Sequence, residues 1–418
     1  MKIAFVSQPF DVVLPPQQNS LGLWVYHVAR RLARSHKVIV YTGQGRFRKQ
    51  NQQWDDGVHY RRMVTGPDKR LLGLLERFWG RGQIRRPLFN SSLAYLGYSL
   101  QVATDLRKQQ CDIVHILNFS QFVPVIRAFN PNIKIVLHME CEWLSQLDPA
   151  IIEPRLKKTD LVIGCSEHIT RQTRQAFPQF AGRCQTVYNG VDVDNFMIGK
   201  DQINLERNGA KRLLFVGRVS PEKGVHVLLE AFEKVVNHYP EAVLEIAGPP
   251  GQLPLDYLMS LSDDKKVAEL ASFYNGASPR SYFDQLQQQA RTLNIANQVN
   301  FAGFVPNSQL IDHYGHTDVL INPSFSEAFG ISLVEAMACQ VPVVATRVGG
   351  MVEIVEEDQT GLLVEPGDSS ALAAALLRLL ASEDLRKAMG EAGRKRAVER
   401  FSWERVTKNL LQHYQNIC

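Results

Sequence analysis

The chain has 418 residues, 45% of them hydrophobic and 21% charged, a globular balance that excludes wholesale disorder and collagen-like repetition. Its net charge of +5 hides a basic first half: residues 1–200 carry 27 Lys/Arg against 15 Asp/Glu, residues 201–418 only 20 against 27. No apolar run approaches the roughly 18–20 residues that span a bilayer, and six scattered cysteines without a Cys-x-x-Cys pair point to reduced thiols in a soluble, cytoplasmic protein.

Residues 2–7 form a short apolar run that ends in a loop with Pro9, Pro15 and Pro16. A helical pattern over 23–33 and a strand over 37–42 follow, the opening of a parallel α/β sheet. Between Arg46 and Arg86, 11 basic residues stand against 4 acidic ones. A solvated arginine-rich surface and a site for an anionic partner both fit that excess; no zinc-finger or RNA-binding signature points to nucleic acid. The apolar-aromatic run 71–79, followed by Arg81, Arg85 and Arg86, fits packing on its own domain or peripheral contact with an anionic membrane. Further strands are expected at Ile113–Leu117, 133–138, 161–165 and 186–188, each short and rich in Val and Ile, as strands covered on both faces are.

From Tyr188-Asn-Gly-Val-Asp192 the pattern breaks into turn chemistry and then a polar stretch over 199–209. The expected domains are therefore 1–198 and 199–400, with a C-terminal helix over 401–418 packing back toward the first. After the break the rhythm restarts: strand Arg212–Val216, helix 225–236, strand 242–247, then strands at 299–301, 319–321 and 343–345, and helices at Ile331–Ala338, 369–380 and 403–414. Residues 249–280 interrupt it with Pro, Gly, Ser and mixed charge and read as an insertion, helical around 265–272.

Two loops of the second half carry chemistry. Gly217-Arg-Val-Ser-Pro-Glu-Lys-Gly224 joins a strand to a helix, and Arg218 brings a planar fork while Lys223 brings a compact ammonium, both suited to a pyrophosphate. In Asn322-Pro-Ser-Phe-Ser-Glu-Ala-Phe-Gly-Ile331 a strand ends and a helix begins, so the N–H groups of Phe329, Gly330 and Ile331 fall where orphan donors and the helix dipole favour a phosphate. Glu327 in that loop can accept from sugar hydroxyls, and Glu335 inside the helix from a ribose. A loop acid plus a solvated helix glutamate fits the same spacing. Asp192-Val-Asp194 reads as a turn, not a metal site.

These runs resemble glycosyltransferase family 4: Gly-Arg-x4-Lys-Gly at 217–224, Glu-x7-Glu at 327–335, the stretches 335–346, 349–354 and 361–367, and Asn189-Gly-Val-Asp192. The resemblance covers most of 160–400 and is looser over 1–150. It implies a retaining enzyme of the GT-B fold, two Rossmann-like α/β domains facing across a deep cleft, acceptor on the first and nucleotide sugar on the second. It implies that Arg218 and Lys223 hold the donor diphosphate beside Gly217, Ala328, Phe329, Gly330 and Ile331. Glu327 would contact the transferred sugar, Glu335 the ribose, and Gly303, Phe304 and Val305 the nucleobase. His138 takes the position of a cleft histidine near the reacting sugar, and Ser20 and Glu140 join it on the acceptor side; His115 is left structural. No metal or other cofactor is implied. Where the family often carries Gly-Gly in its first loop, this chain has Asn19-Ser-Leu-Gly22, leaving Gly22 alone to approach the diphosphate. The implied reaction moves a hexosyl group, glucosyl from UDP-glucose, to a hydroxyl of a small anionic acceptor such as fructose 6-phosphate, as sucrose-phosphate synthases do. A lipid or polysaccharide acceptor, an inactive nucleotide-sugar-binding regulator and an epimerase are the competing readings.

Overall fold

The computed structural model describes residues 1–16, 18–44, 52–76, 86–197, 210–251, 265–275 and 281–418. It divides into two compact units, Met1–Asn189 with Trp403–Cys418, and Gly190–Ser402. The first boundary therefore falls before the polar stretch rather than at 198/199, because Val191 already donates its N–H to the Phe401 carbonyl and bridges to Ser402 inside the second unit.

The first unit is built on one sheet: β1 (Lys2–Val6), β2 (Lys37–Gly43), β3 (Gln52–Asp55), β4 (Val58–Met63), β5 (Ile113–Leu117), β6 (Lys134–Met139), β7 (Leu161–Gly164) and β8 (Cys184–Thr186), in the order β3-β4-β2-β1-β5-β6-β7-β8. Only β3 and β4 run antiparallel. Every residue of β5 is buried, which is why that strand is an unbroken apolar run apart from His115. The helix Ser20–Leu32 begins at Asn19, whose side chain accepts the Gly22 N–H, and it turns Trp24, Val25, Val28 and Leu32 inward. The last helix, Trp403–Ile417, adds Trp403, Val406, Leu410 and Tyr414 to this core. It is docked by His27 stacked on Trp403 at 5.0 Å and by an Arg31–Glu404 ion pair at 2.8 Å.

The second unit has six parallel strands, β9 (Arg212–Val216), β10 (Val243–Ala247), β11 (Val299–Gly303), β12 (Val319–Asn322), β13 (Val343–Thr346) and β14 (Gly361–Val364), ordered β11-β10-β9-β12-β13-β14. This is the doubly wound arrangement. Strand order reverses between β9 and β12, and ligand crevices open at the carboxyl ends beside such a reversal. Two short helices of the expected insertion are described, Lys265–Glu269 and Ser272–Asn275, with Phe273 packed on His226 and Tyr282. The rest of it (252–264 and 276–280), the linker at 198–209 and positions 77–85 of the apolar-basic run lie outside the described residues. Among the described residues no helix is long and apolar enough to cross a membrane.

Candidate functional site

The two loops singled out in the second half leave β9 and β12, the strands at the reversal. Gly217 opens the first of them and donates its N–H to the Ala247 carbonyl at 3.0 Å. Backbone then ties loop to loop, Phe325 N–H donating to the Glu222 carbonyl at 2.8 Å. That contact brings Lys223 and Glu327, distant in sequence, to an ion pair of 2.6 Å with side chains 19% and 17% exposed. Arg218 donates to Glu222 Oε1 at 2.8 Å and to Ser220 Oγ at 3.3 Å, yet keeps 39% of its side chain exposed. A guanidinium held from below with its outer edge in solvent suits an incoming anion.

Glu327 is fixed by its own carbonyl, which accepts the Gly350 N–H at 3.1 Å. Gly349 lies at φ +53°, and a Cβ there would stand 1.7 Å from that same carbonyl oxygen. Just beyond, Gly330 at φ +109° starts the helix Ile331–Ala338, which has no side-chain cap and no acid in its first turn. The free end of a helix with positive partial charge therefore sits in the loop that holds Glu327. Phe329 is buried against Phe401, so it contributes backbone and packing; Ala328 lies between it and Glu327 in the same turn. At the end of β11, Gly303 adopts φ +69°, Phe304 is 54% exposed and Val305 is half-buried, an apolar edge of the kind a base stacks on.

Glu335 lies deeper than its expected ribose contact suggests. It is buried, with Oε1 accepting from Asn307 Nδ2 at 2.9 Å and Oε2 from the Tyr314 hydroxyl at 2.8 Å; each oxygen retains a second lone pair. Burial pushes its carboxyl up to about 7 against those two hydrogen bonds, which pull it down. The folded chain thus holds a proton that the unfolded chain releases near 4.5, so this group costs stability progressively as pH rises from 4.5 to 7. Relative to the parent, Glu335→Gln should gain melting temperature across that window and level off above it. Thermal melts from pH 4.5 to 8.5 test this, and parallel curves for the two proteins refute it.

In the first unit the outcome is different. Ser20 is exposed at the start of its helix. Gly22 does not offer its backbone to a ligand: a Cβ there would lie 1.9 Å from the Val12 carbonyl oxygen, so its missing side chain is used by the chain's own first loop. His138 does not face an opening either. It has no exposed side-chain surface, with Trp24 edge-on at 4.6 Å, and its Nδ1 is 3.1 Å from His115 Nε2. Glu140 is the member of this group that reaches the surface, 11% exposed, with Oε2 accepting from Asn189 Nδ2 at 2.7 Å. Asp192 caps its own turn by accepting from Asn195.

Sequence reasoning passed over Glu222, Asn307 and Tyr314, which hold Arg218 and Glu335. Glu222 stood inside the quoted loop motif and could have been read as the partner of Arg218 four residues away; Asn307 and Tyr314 carried no local signal.

A model of the group 1 glycosyl transferases matches residues 199–396, and a model of glycosyltransferase family 4 matches residues 21–195. A D-inositol 3-phosphate glycosyltransferase of Corynebacterium urealyticum is 32% identical over 268 residues, which are 62% of this chain and 57% of that protein. The sucrose-phosphate synthase of Thermosynechococcus elongatus has a TM-score of 0.72 at 22% identity, over 100% of this chain and 99% of the other. Anabaena HepE, solved with UDP and glucose, has a TM-score of 0.71 at 20% identity over 99% of both chains. The structural likeness speaks for the fold, two parallel-sheet α/β domains, and the two family models, meeting near the domain boundary, speak for the chemistry. The chain belongs to glycosyltransferase family 4 and is a glycosyltransferase of the GT-B type.

Proposed function

We propose that this enzyme transfers a glucosyl group from UDP-glucose, with retention, to a hydroxyl of a small phosphorylated acceptor. The observation that carries the reading is the Lys223–Glu327 pair beside the half-open Arg218 and the uncapped helix at Ile331. A nucleoside diphosphate leaves with its negative charge growing, and cations and a helix end carried on two loops that are hydrogen-bonded to each other would stabilise it once Lys223 exchanges Glu327 for the phosphate. The incoming hydroxyl approaches from the face that the diphosphate leaves, and a phosphate oxygen takes its proton. No enzyme nucleophile is required, and the two cations with the helix end supply the positive charge that a metal would otherwise bring. Phe304 serves the base and Glu335 the ribose.

UDP as carrier is supported by the HepE complex with UDP and glucose. A phosphorylated acceptor is supported by the basic first half and by the names of two similar proteins, which act on an inositol phosphate and make sucrose phosphate. A lipid acceptor is favoured by one observation: the helix Gly66–Leu75 leaves Leu71 41% and Leu74 55% exposed beside Lys69 and Arg70.

Thermal shift with UDP-, GDP- and ADP-sugars tests the donor. UDP-glucose should raise the melting temperature most, by about 2.7 kcal/mol of stability at a hundred times its Kd, with or without a chelator. Stabilisation by GDP- or ADP-sugars alone would overturn the assignment. Acceptors are then screened with that donor, and salt-sensitive sedimentation with anionic liposomes would shift the acceptor to a lipid.

A further inference from the structure

The segment that opens the second unit is tied to the helix that carries Glu335. Arg394 Nη1 donates to the carbonyls of Val193 at 2.7 Å and Phe196 at 3.2 Å, and to that of Ala338, the last residue of the helix Ile331–Ala338, at 2.6 Å. A turn over 192–196 is closed by the Phe196 N–H, which donates to the Asp192 carbonyl at 2.9 Å. It carries the Phe196 ring inward, 5% exposed and edge-on to Tyr314 with ring centres 5.9 Å apart.

Tyr314 is fully buried, and its hydroxyl is one of the two donors that hold Glu335. The other, Asn307, stands seven residues earlier on the same helix, Asn307–Gly315, two turns away and so on the same face. One helix thus grips both carboxylate oxygens. Each bond takes one lone pair and leaves one on each oxygen, and two such acceptors side by side match the vicinal hydroxyls of a ribose. The last torsion of a glutamate is broad and two-fold, so whatever fixes the carboxylate plane decides whether both free lone pairs meet both hydroxyls. Asn307 fixes one oxygen, and the other is placed only as well as the Tyr314 ring is. The edge of Phe196 bears on that ring, while Arg394 anchors Phe196 to the helix of Glu335. Ring, hydroxyl, carboxylate, helix and guanidinium close on one another.

We propose that Phe196 is a positioning residue for donor recognition: it sets the Tyr314 hydroxyl and, through it, the plane of the Glu335 carboxylate that receives the ribose hydroxyls. The ribose contact of Glu335 rests on the function proposed above; the Phe196–Tyr314–Glu335 linkage is read from distances inside the second unit. Phe196 touches no substrate in this role, and its effect is on selectivity. A loosened Tyr314 leaves one acceptor misplaced, which weakens a nucleotide that carries both hydroxyls and spares one that lacks them.

The test is titration calorimetry of the full chain with UDP and with 2′,3′-dideoxyuridine diphosphate. The parent should prefer UDP by about 10- to 100-fold, the range of a hydrogen bond to a charged group. Phe196→Leu keeps an apolar anchor in the turn and removes the ring edge. It should lower that preference by about threefold or more, as expected for residues in one network, and leave the affinity for the dideoxy nucleotide unchanged. Tyr314→Phe should lower the preference at least as far. Phe196→Met gives the same reading should Phe196→Leu fail to fold. A merely structural role would weaken both nucleotides alike, so a preference that Phe196→Leu or Phe196→Met leaves intact overturns the proposal and leaves the ribose contact standing. A parent that binds UDP no better than the dideoxy nucleotide strikes the ribose contact of Glu335, and the proposal falls with it.

Discussion

Lys223→Ala is expected to lower glycosyl transfer by about 100- to 1000-fold, the cost of removing one preorganised charge donor from a site of this type, while the protein stays folded. Folding is spared because the variant loses a single ion pair whose members keep 19% and 17% exposure. Glu327, left alone, is hydrated, and such partly exposed pairs contribute about 1 kcal/mol or less. The rate is not spared. In the absence of donor the ammonium is balanced by Glu327, and the two occupy one another at the carboxyl end of the sheet reversal. Under the proposed function, a diphosphate brings more charge than a carboxylate, so the lysine would have a stronger partner to turn to and Glu327 would be released toward the sugar. Lys223→Arg should recover only a small part of the loss, since a planar fork does not occupy the place of a compact ammonium. Steady-state rates with UDP-glucose, alongside circular dichroism of each variant, check this; near-normal turnover by Lys223→Ala would remove the assignment.

The grouping of Lys223 and Glu327 on two adjoining loops was legible in the sequence for a physical reason. The two sit on contiguous loops, each following a buried strand, so residue type, order and helix start are all local information. Ile113–Leu117, Arg212–Val216 and Ile331–Ala338 form with the bounds read from their apolar pattern. The β3–β4 hairpin was not seen. Its residues alternate polar and apolar at a sheet edge, with Arg62 buried and held by Gln53, so the segment read as a basic surface; Asp56-Gly57, both at positive φ, was the turn signal that could have disclosed it. The first-unit cluster was illegible for the opposite reason. His115 and His138 lie on neighbouring strands, and Tyr414 comes from the far end of the chain, so only the sheet register and the docking of the last helix bring them together. A strand-end histidine taken alone looked like a cleft residue; in the fold it is interior.

Gly349→Ala should abolish most transfer and lower the melting temperature of the second unit by several degrees, whereas Gly303→Ala should be mild, although both glycines have positive φ. The contrast separates two costs that sequence cannot tell apart. A left-handed backbone costs a residue with a Cβ about 1–2 kcal/mol, and at Gly303 that is the whole penalty, since a Cβ there meets nothing within 4 Å. At Gly349 the same strain is joined by a collision, 1.7 Å from the Glu327 carbonyl oxygen and 3.5 Å from its nitrogen. Backbone, unlike the tip of a long side chain, has no rotamer through which to retreat. Either the Gly349-Gly350 turn opens and gives up the 3.1 Å hydrogen bond to Glu327, or the Glu327 loop shifts and carries its carboxylate away from Lys223. Both movements break the constellation proposed to receive the donor, and displacements of about 1 Å at a reacting centre cost on the order of 100-fold. At about 2–4 °C per kcal/mol for a unit of this size, melting temperature reports the strain and turnover reports the displacement. Equal effects of the two substitutions on turnover would mean that Glu327 is not placed by this turn.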